Sequence, residues 1–363
     1  MSLVPRSLTA RRPVPRIGVL VAAALLGVPL LTAVPSPAEA APRPRCQGRA
    51  ATIVGGPDEV VRGTDRADVI VATASRQVLG RDGRDVICLS VRPGGSAEIR
   101  SGDGDDSVRV SGRSGRVQVE LGSGADRYVG FEGVDEVEDT GTFGLPRQRG
   151  DGDRDVILTR GGDDLVRINS LERSEQMTDR IDGGAGDDRI FGEGRGLAPG
   201  AGVAGGDGRD YLSFSLYSDA EQAIVDLPTE QVRVDGEVGA RWADVEELRL
   251  FILPTVISDP EVAPTVRTTV IGTPGADVVD IDRVSRAAMG GGADVLTTSL
   301  VDGADLDGGA GPRDLISLLT RNRFYGGSDE EDGDAMVLDL AGTATSADRL
   351  SGEITARGRL SGF

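Results

Sequence analysis

The residues of this chain best suited to chemistry are carboxylates set behind glycine-rich turns. Gly183–Phe191 reads GGAGDDRIF and Gly205–Ser213 reads GGDGRDYLS. Both fit a nine-residue pattern, G-G-x-G-x-D-x-U-x, in which U is a large apolar residue. Glycine enters left-handed backbone without a Cβ penalty, so the first half of the pattern can turn tightly. The aspartate supplies a hard anionic oxygen and the turn supplies carbonyls, a donor set that suits Ca²⁺ better than Mg²⁺ or Zn²⁺. Less complete copies place aspartate ahead of an apolar residue at Asp68, Asp85, Asp106, Asp126, Asp155, Asp164, Asp277, Asp294 and Asp314, the last with one extra residue before it. In several of these copies another residue replaces a template glycine, as Arg66 and Asp151 do. Aspartate in such a place can also cap a turn through nearby backbone N–H groups, with no ion involved.

Most catalytic chemistries lack their parts. The chain has no histidine, which excludes Ser-His-Asp and Cys-His arrangements, His-ligated zinc and the H-E-x-x-H motif. No G-x-S-x-G occurs either. The catalytic alternative is cleavage of a polysaccharide on a β-helix, with Ca²⁺ acidifying a substrate proton and arginine as base, or with paired carboxylates in hydrolysis. No local spacing singles out such a set, so a non-catalytic protein is expected.

The elements that must position these aspartates are short strands. The last three residues of each repeat form an extended segment that points one apolar side chain inward. Asp68 to Asp85 spans 17 residues, as does Asp277 to Asp294, which predicts one two-turn coil per step with both aspartates of a pair on one edge. Between Asp68 and Asp85, Gln77 and Leu79 take the aspartate and apolar places half a coil on. Nine-residue neighbours such as Asp155 and Asp164 should lie on opposite edges. Asp179 with Ile181 precedes Asp188 with Ile190, again by nine. Asp188 to Asp210 does not fit a whole coil, so a loop must bulge near GEGRGLAPGAGV. Repetition of this kind predicts an all-β solenoid with a spine of apolar residues and aligned rows of aspartate.

These repeats resemble the RTX, or haemolysin-type, calcium-binding repeat proteins, over roughly residues 46–213 and 272–340. The resemblance implies a parallel β-roll, Ca²⁺ held between stacked turns, and an extracellular setting. Carried over residue by residue, it makes Asp68, Asp85, Asp106, Asp126, Asp155, Asp164, Asp188, Asp210, Asp277, Asp294 and Asp314 the metal ligands. It implies no particular biological role, because function lives in sites and not in folds.

Residues 1–40 read as an export signal. Four arginines precede the uncharged apolar run Ile17–Val34, and Ala38-Glu39-Ala40 supplies an A-x-A cleavage pattern. An uncleaved membrane anchor is the alternative. The mature chain is expected outside the cell, with no further membrane span. Losing four arginines and one glutamate takes the net charge from −19 to −22, so the chain should attract cations and avoid nucleic acid. Cys46 and Cys88, the only cysteines, are expected to form a disulfide in an oxidising location, two buried thiols being the alternative.

Residues 41–62 read as a capping segment, 63–213 as the first repeat block and 214–271 as an irregular strand-rich segment. Residues 272–363 form the second block, ending in an open edge. The irregular segment reads as degenerate coils more readily than as an inserted binding face, because VDEVED at 134–139 echoes ADVEEL at 243–248. Expected partners are calcium ions, an extracellular or cell-surface polysaccharide or protein, and a second copy associating through the C-terminal edge.

Overall fold

The computed structural model describes residues 42–139, 153–168, 176–196, 198, 200–253, 266–299, 301, 303–311, 314–319, 335–338, 343–347 and 354–361. The export signal at 1–40, Asp151 and the acidic stretch at 328–334 fall outside them. Short strands pass alternately between two sheets and wind into a parallel β-solenoid of about eleven turns. Among the described residues there is no α-helix.

The first sheet holds twelve parallel strands in sequence order, from Val60–Arg62 to Leu315–Leu319. The second begins with Ile53–Gly55, Val69–Thr73 and Val86–Ser90 and continues in parallel to Gly202–Asp207. Period-two alternation drives both. In the second sheet Ile70, Ile87, Val108, Tyr128, Ile157 and Ile181 stack in register and are fully or almost fully buried. In the first, Val137, Val166, Ile190, Leu212 and Leu248 do the same. One strand departs from the expected assignment. Val78 is the buried residue of Gln77–Asp82, and Leu79 faces outward, so the inward set there is shifted by one residue.

Within 214–271, the described residues 214–253 and 266–271 are neither wholly degenerate coil nor a separate face. The strand Glu247–Leu253 stacks on Tyr211–Tyr217 as an ordinary coil. The excursion between them is a three-strand meander inserted into the second sheet. Glu237–Ala243 lies parallel to Gly202–Asp207 and antiparallel to Gln231–Val234. Gln231–Val234 in turn is antiparallel to Gln222–Asp226, on which Arg267–Ile271 continues the parallel stack.

Residues 53–62 form the first coil itself. Ahead of them the hairpin Arg45–Cys46/Arg49–Ala50 lies over the outer face of the second sheet, where a disulfide joins Cys46 to Cys88 and the Gln47 amide bonds Ser107. At the other end, Ile354–Ser361 lies parallel to Ala304–Asp307 and antiparallel to Thr343–Ala347. The first sheet ends at Leu315–Leu319, where Leu315 is 56% exposed.

Candidate metal centre

At the corner where the chain turns into a strand, the N–H of an aspartate at the strand's entry points at the adjoining coil. An aspartate from the next coil supplies its partner, since a buried N–H left unpaired is costly. The N–H of Asp68 donates to Oδ1 of Asp85 at 2.8 Å, Asp85 to Asp106 at 2.7 Å, and Asp106 to Asp126 at 2.7 Å. Asp126 continues to Asp155 at 2.7 Å, and Asp155 to Asp179 at 2.9 Å. This ladder lines the corner that leads into the second sheet.

A second ladder lines the other corner. It runs from Asp135 to Asp164 (2.7 Å), Asp164 to Asp188 (2.8 Å), Asp188 to Asp210 (2.8 Å), and Asp210 to Glu246 Oε2 (2.7 Å). On the same corner Asp277 donates to Asp294 at 2.9 Å and Asp294 to Asp314 at 3.0 Å. The nine-residue pairs Asp155/Asp164 and Asp179/Asp188 therefore separate onto opposite corners. Asp188 and Asp210 are adjacent in one ladder although 22 residues apart, the surplus being absorbed in the loop after Gly194.

The glycine turns make room for these carboxylates. A Cβ on Gly183 would fall 2.3 Å from Asp188 Oδ2 and 2.6 Å from the Gly205 carbonyl oxygen; one on Gly205 would fall 2.5 Å from Asp210 Oδ2. Gly184 and Gly186 stand at φ +101° and +135°, and Gly206 and Gly208 at +120° and +152°. Where arginine replaces the first glycine of such a pair, as at Arg81 (φ +82°) and Arg160 (φ +80°), the turn survives with a strained non-glycine residue.

The second oxygen, Oδ2, separates the sites into two kinds. At Asp68 it accepts from the Thr64 N–H and hydroxyl, both at 2.8 Å, while the Thr52 hydroxyl bonds Oδ1. Asp277 is capped by the Thr273 N–H on Oδ2 at 2.7 Å and by the Thr273 hydroxyl on Oδ1 at 2.8 Å. Asp135 accepts from the Tyr128 hydroxyl at 2.9 Å and, more weakly, from the Phe131 N–H. At Asp85, Asp106, Asp188, Asp210, Asp294 and Asp314, no donor reaches the buried Oδ2. Of the predicted ligands, Asp68 and Asp277 are thus accounted for as turn caps. These six present an oxygen that lacks a partner.

Titration sets Asp68 apart from the rest, for at Asp277 burial outweighs the Thr273 bonds and raises the carboxyl. Burial would raise the Asp68 carboxyl, but the bonds from Thr64 and Thr52 overcome it and hold the group below its usual value. Burial, only partly offset by the N–H of the preceding rung, pushes Asp85 up to about 6 and Asp106 and Asp188 up to about 7. Asp164 is also raised to about 7 by burial, and Asp135, deep in the core beside Asp164, to about 8. Asp210 and Asp294 are raised, again chiefly by burial, with acidic neighbours adding to it. The ladders therefore hold carboxylates whose charge is costly and close to the next one.

The densest group lies in the part of the stack where both ladders run. Asp139, Asp155 and Asp179 are all buried, and each offers an oxygen within 4.8 Å of the others. Asp139 ends the strand Val134–Asp139 on its inward side, in register with core residue Ile168. Three carboxylates without nitrogen or sulfur suit a hard cation. An oxygen-liganded cation suits this cluster of three carboxylates.

Of the predicted ligands, Asp155 belongs to the three-carboxylate cluster; Asp126 and Asp164 are ladder rungs. Sequence reasoning left out Asp135, Asp139 and Glu246, and placed Asp179 in the aspartate position of a repeat without counting it among the ligands. The signal was present: Asp135 and Glu246 each stand two residues before a core residue, Val137 and Leu248. Asp139 shares its parity with Asp135 in VDEVED.

Comparison with protein families, with curated proteins and with solved structures finds no match. The fold and site define a class of their own accord: a parallel β-solenoid with buried aspartate clusters, compatible with a repeat protein that binds a cation.

Proposed function

We propose that this chain is a secreted, haemolysin-type calcium-binding repeat protein. Its solenoid winds up around Ca²⁺ and acts as a structural or adhesive module without chemistry of its own. The observation that carries this reading is the set of buried Oδ2 atoms with no donor, at Asp85, Asp106, Asp188, Asp210 and Asp294, stacked at the solenoid corners. A bound divalent ion supplies the missing partner and neutralises neighbouring carboxylates together. Asp139, Asp155 and Asp179 would hold the most fully protein-liganded ion. The export pattern at 1–40, the acidic balance and the Cys46–Cys88 bond fit a life outside the cell, where calcium is plentiful.

Circular dichroism and thermal unfolding of the mature chain at about pH 8, in EGTA and then in millimolar Ca²⁺, test the proposal. Calcium should raise the unfolding midpoint, and Mg²⁺ should do so less, because it demands tighter octahedral geometry. An unchanged midpoint in Ca²⁺ would sink the reading and leave the aspartates as turn-formers only.

A further inference from the structure

The outer face of the first sheet carries a feature that the ladders do not explain. The strand Tyr211–Tyr217 turns Phe214 and Leu216 into the core and leaves Ser213 and Ser215 outward. Ser213 stands opposite Phe191 on one neighbouring strand and Arg249 on the other; Ser215 stands opposite Glu193 and Phe251. Two small hydroxyls thus floor a trough, flanked along the same strand by Tyr211 and by Tyr217, whose hydroxyl donates to Glu193 at 3.0 Å. Each wall presents one aromatic ring and one charged group, in opposite order on the two sides. The wall backbones are two strand spacings apart, about 9.6 Å.

Eight aromatic side chains are described. Five of them, Tyr128, Phe131, Phe214, Tyr217 and Trp242, are buried. The remaining three, Phe191, Tyr211 and Phe251, all lie on this face, on three successive strands. Phe191 and Tyr211 are 5.7 Å apart between ring centres. The Arg167 guanidinium lies 5.8 Å from the Phe191 ring centre and that of Arg249 lies 4.8 Å from that of Phe251. Rings with one apolar face and hydroxyls between them are what a sugar ring, itself apolar on its C–H face and polar at its edge, requires.

We propose that this trough binds a neutral polysaccharide chain. Charge decides against an acidic one. Three of the surrounding arginines are matched, Arg167 with Glu138 at 3.2 Å, Arg249 with Asp280 at 3.1 Å and Arg209 with Glu247 at 3.7 Å; the fourth, Arg189 opposite Tyr211, is balanced in charge by Glu193 on its own strand, and the chain as a whole carries −19. Such a face offers paired donors and acceptors but no net attraction for a polyanion. Width decides against a protein helix, which with side chains needs about 10–12 Å. The proposal is independent of the calcium reading, since the trough is built from strand register and outward side chains.

Native electrophoresis of the mature chain through gels containing soluble glucomannan, xylan or mixed-linkage β-glucan, with calcium present throughout, tests it. Polygalacturonate gels and glycan-free gels serve as comparisons. At least one neutral glycan should retard the protein. Phe251→Ala and Phe191→Ala should each weaken retention about tenfold. Ser215→Arg, which fills the floor and leaves both rings, should do the same while the unfolding midpoint stays put. The proposal falls if no neutral glycan retards the protein, if polygalacturonate retards it more, or if these variants behave like the parent. It also falls if the variants abolish self-association in glycan-free gels, which would assign the face to a second copy. Calcium binding is read separately by the thermal titration, so either reading can fail alone.

Discussion

Asp188→Asn should change the sign of its effect with calcium. Asp188 is 1% exposed, its Oδ1 accepts from the Asp164 N–H at 2.8 Å, and its Oδ2 has no donor. Asparagine keeps the same shape and the Oδ1 acceptor. What it loses is the charge. Burial raises the Asp188 carboxyl from 3.8 to about 7. At about pH 8, ionising it in the metal-free fold therefore costs on the order of 4 kcal/mol relative to the unfolded chain. Water entering the corner as the group ionises makes that figure an upper bound. The variant should accordingly be more stable than the parent in EGTA, by a few kcal/mol and several degrees in unfolding midpoint. In millimolar Ca²⁺ the parent gains a ligand that asparagine lacks. A site filled at about one hundred times its Kd contributes about 2.7 kcal/mol, enough to erase or invert the advantage. Paired thermal scans of both proteins in EGTA and in Ca²⁺ read the result. An equal difference under both conditions would refute ligation by Asp188, and a variant weaker in EGTA would refute the cost of the buried charge.

Three further outcomes follow from the same geometry. Gly186→Ala should destabilise the protein by about 3 kcal/mol or more by urea titration, because its Cβ would lie 2.0 Å from the Gly162 carbonyl oxygen at φ +135°. Arg160→Gly should stabilise it by up to about 1 kcal/mol, through relief of the positive φ at that turn. The metal-stripped protein should lose stability as pH rises. Groups such as Asp85, Asp106 and Asp164 bind protons more tightly folded than unfolded, so their contribution is complete below about pH 4 and is lost as pH climbs through about 6–7. Asp68, lowered by its threonine bonds, acts in the opposite sense and loses its contribution on acidification. Urea midpoints between about pH 5 and pH 8 should fall in EGTA and stay level in Ca²⁺; a midpoint rising toward pH 8 in EGTA would count against the buried charges.

The repeat was legible because its constraints are local. A glycine turn, an aspartate and an apolar residue two places on recur at fixed offsets, and the buried residues Ile87, Ile157, Ile190 and Leu212 all fall where that pattern puts them. Coil length was less legible, because the corners tolerate additions: Asp106 to Asp126 takes 20 residues and Asp126 to Asp155 takes 29. Strand Gln77–Asp82 misled by one residue because its outward Leu79 is as apolar as its inward Val78. The division between capped and orphaned carboxylates depended on a threonine four residues upstream, at Thr64 and Thr273, whose meaning emerges only when the turn closes on itself. Asp139 was hidden for another reason: its partners Asp155 and Asp179 come from different coils.

The meander between Gln222 and Ala243 has a practical side. Its turn at Asp235-Gly236 sits at φ +47° and +88°, with open space where a Gly236 side chain would go. The strands on either side are already anchored to the coils above and below. A foreign peptide spliced between those two residues would project from the second sheet, leaving the rungs that hold the windings together untouched.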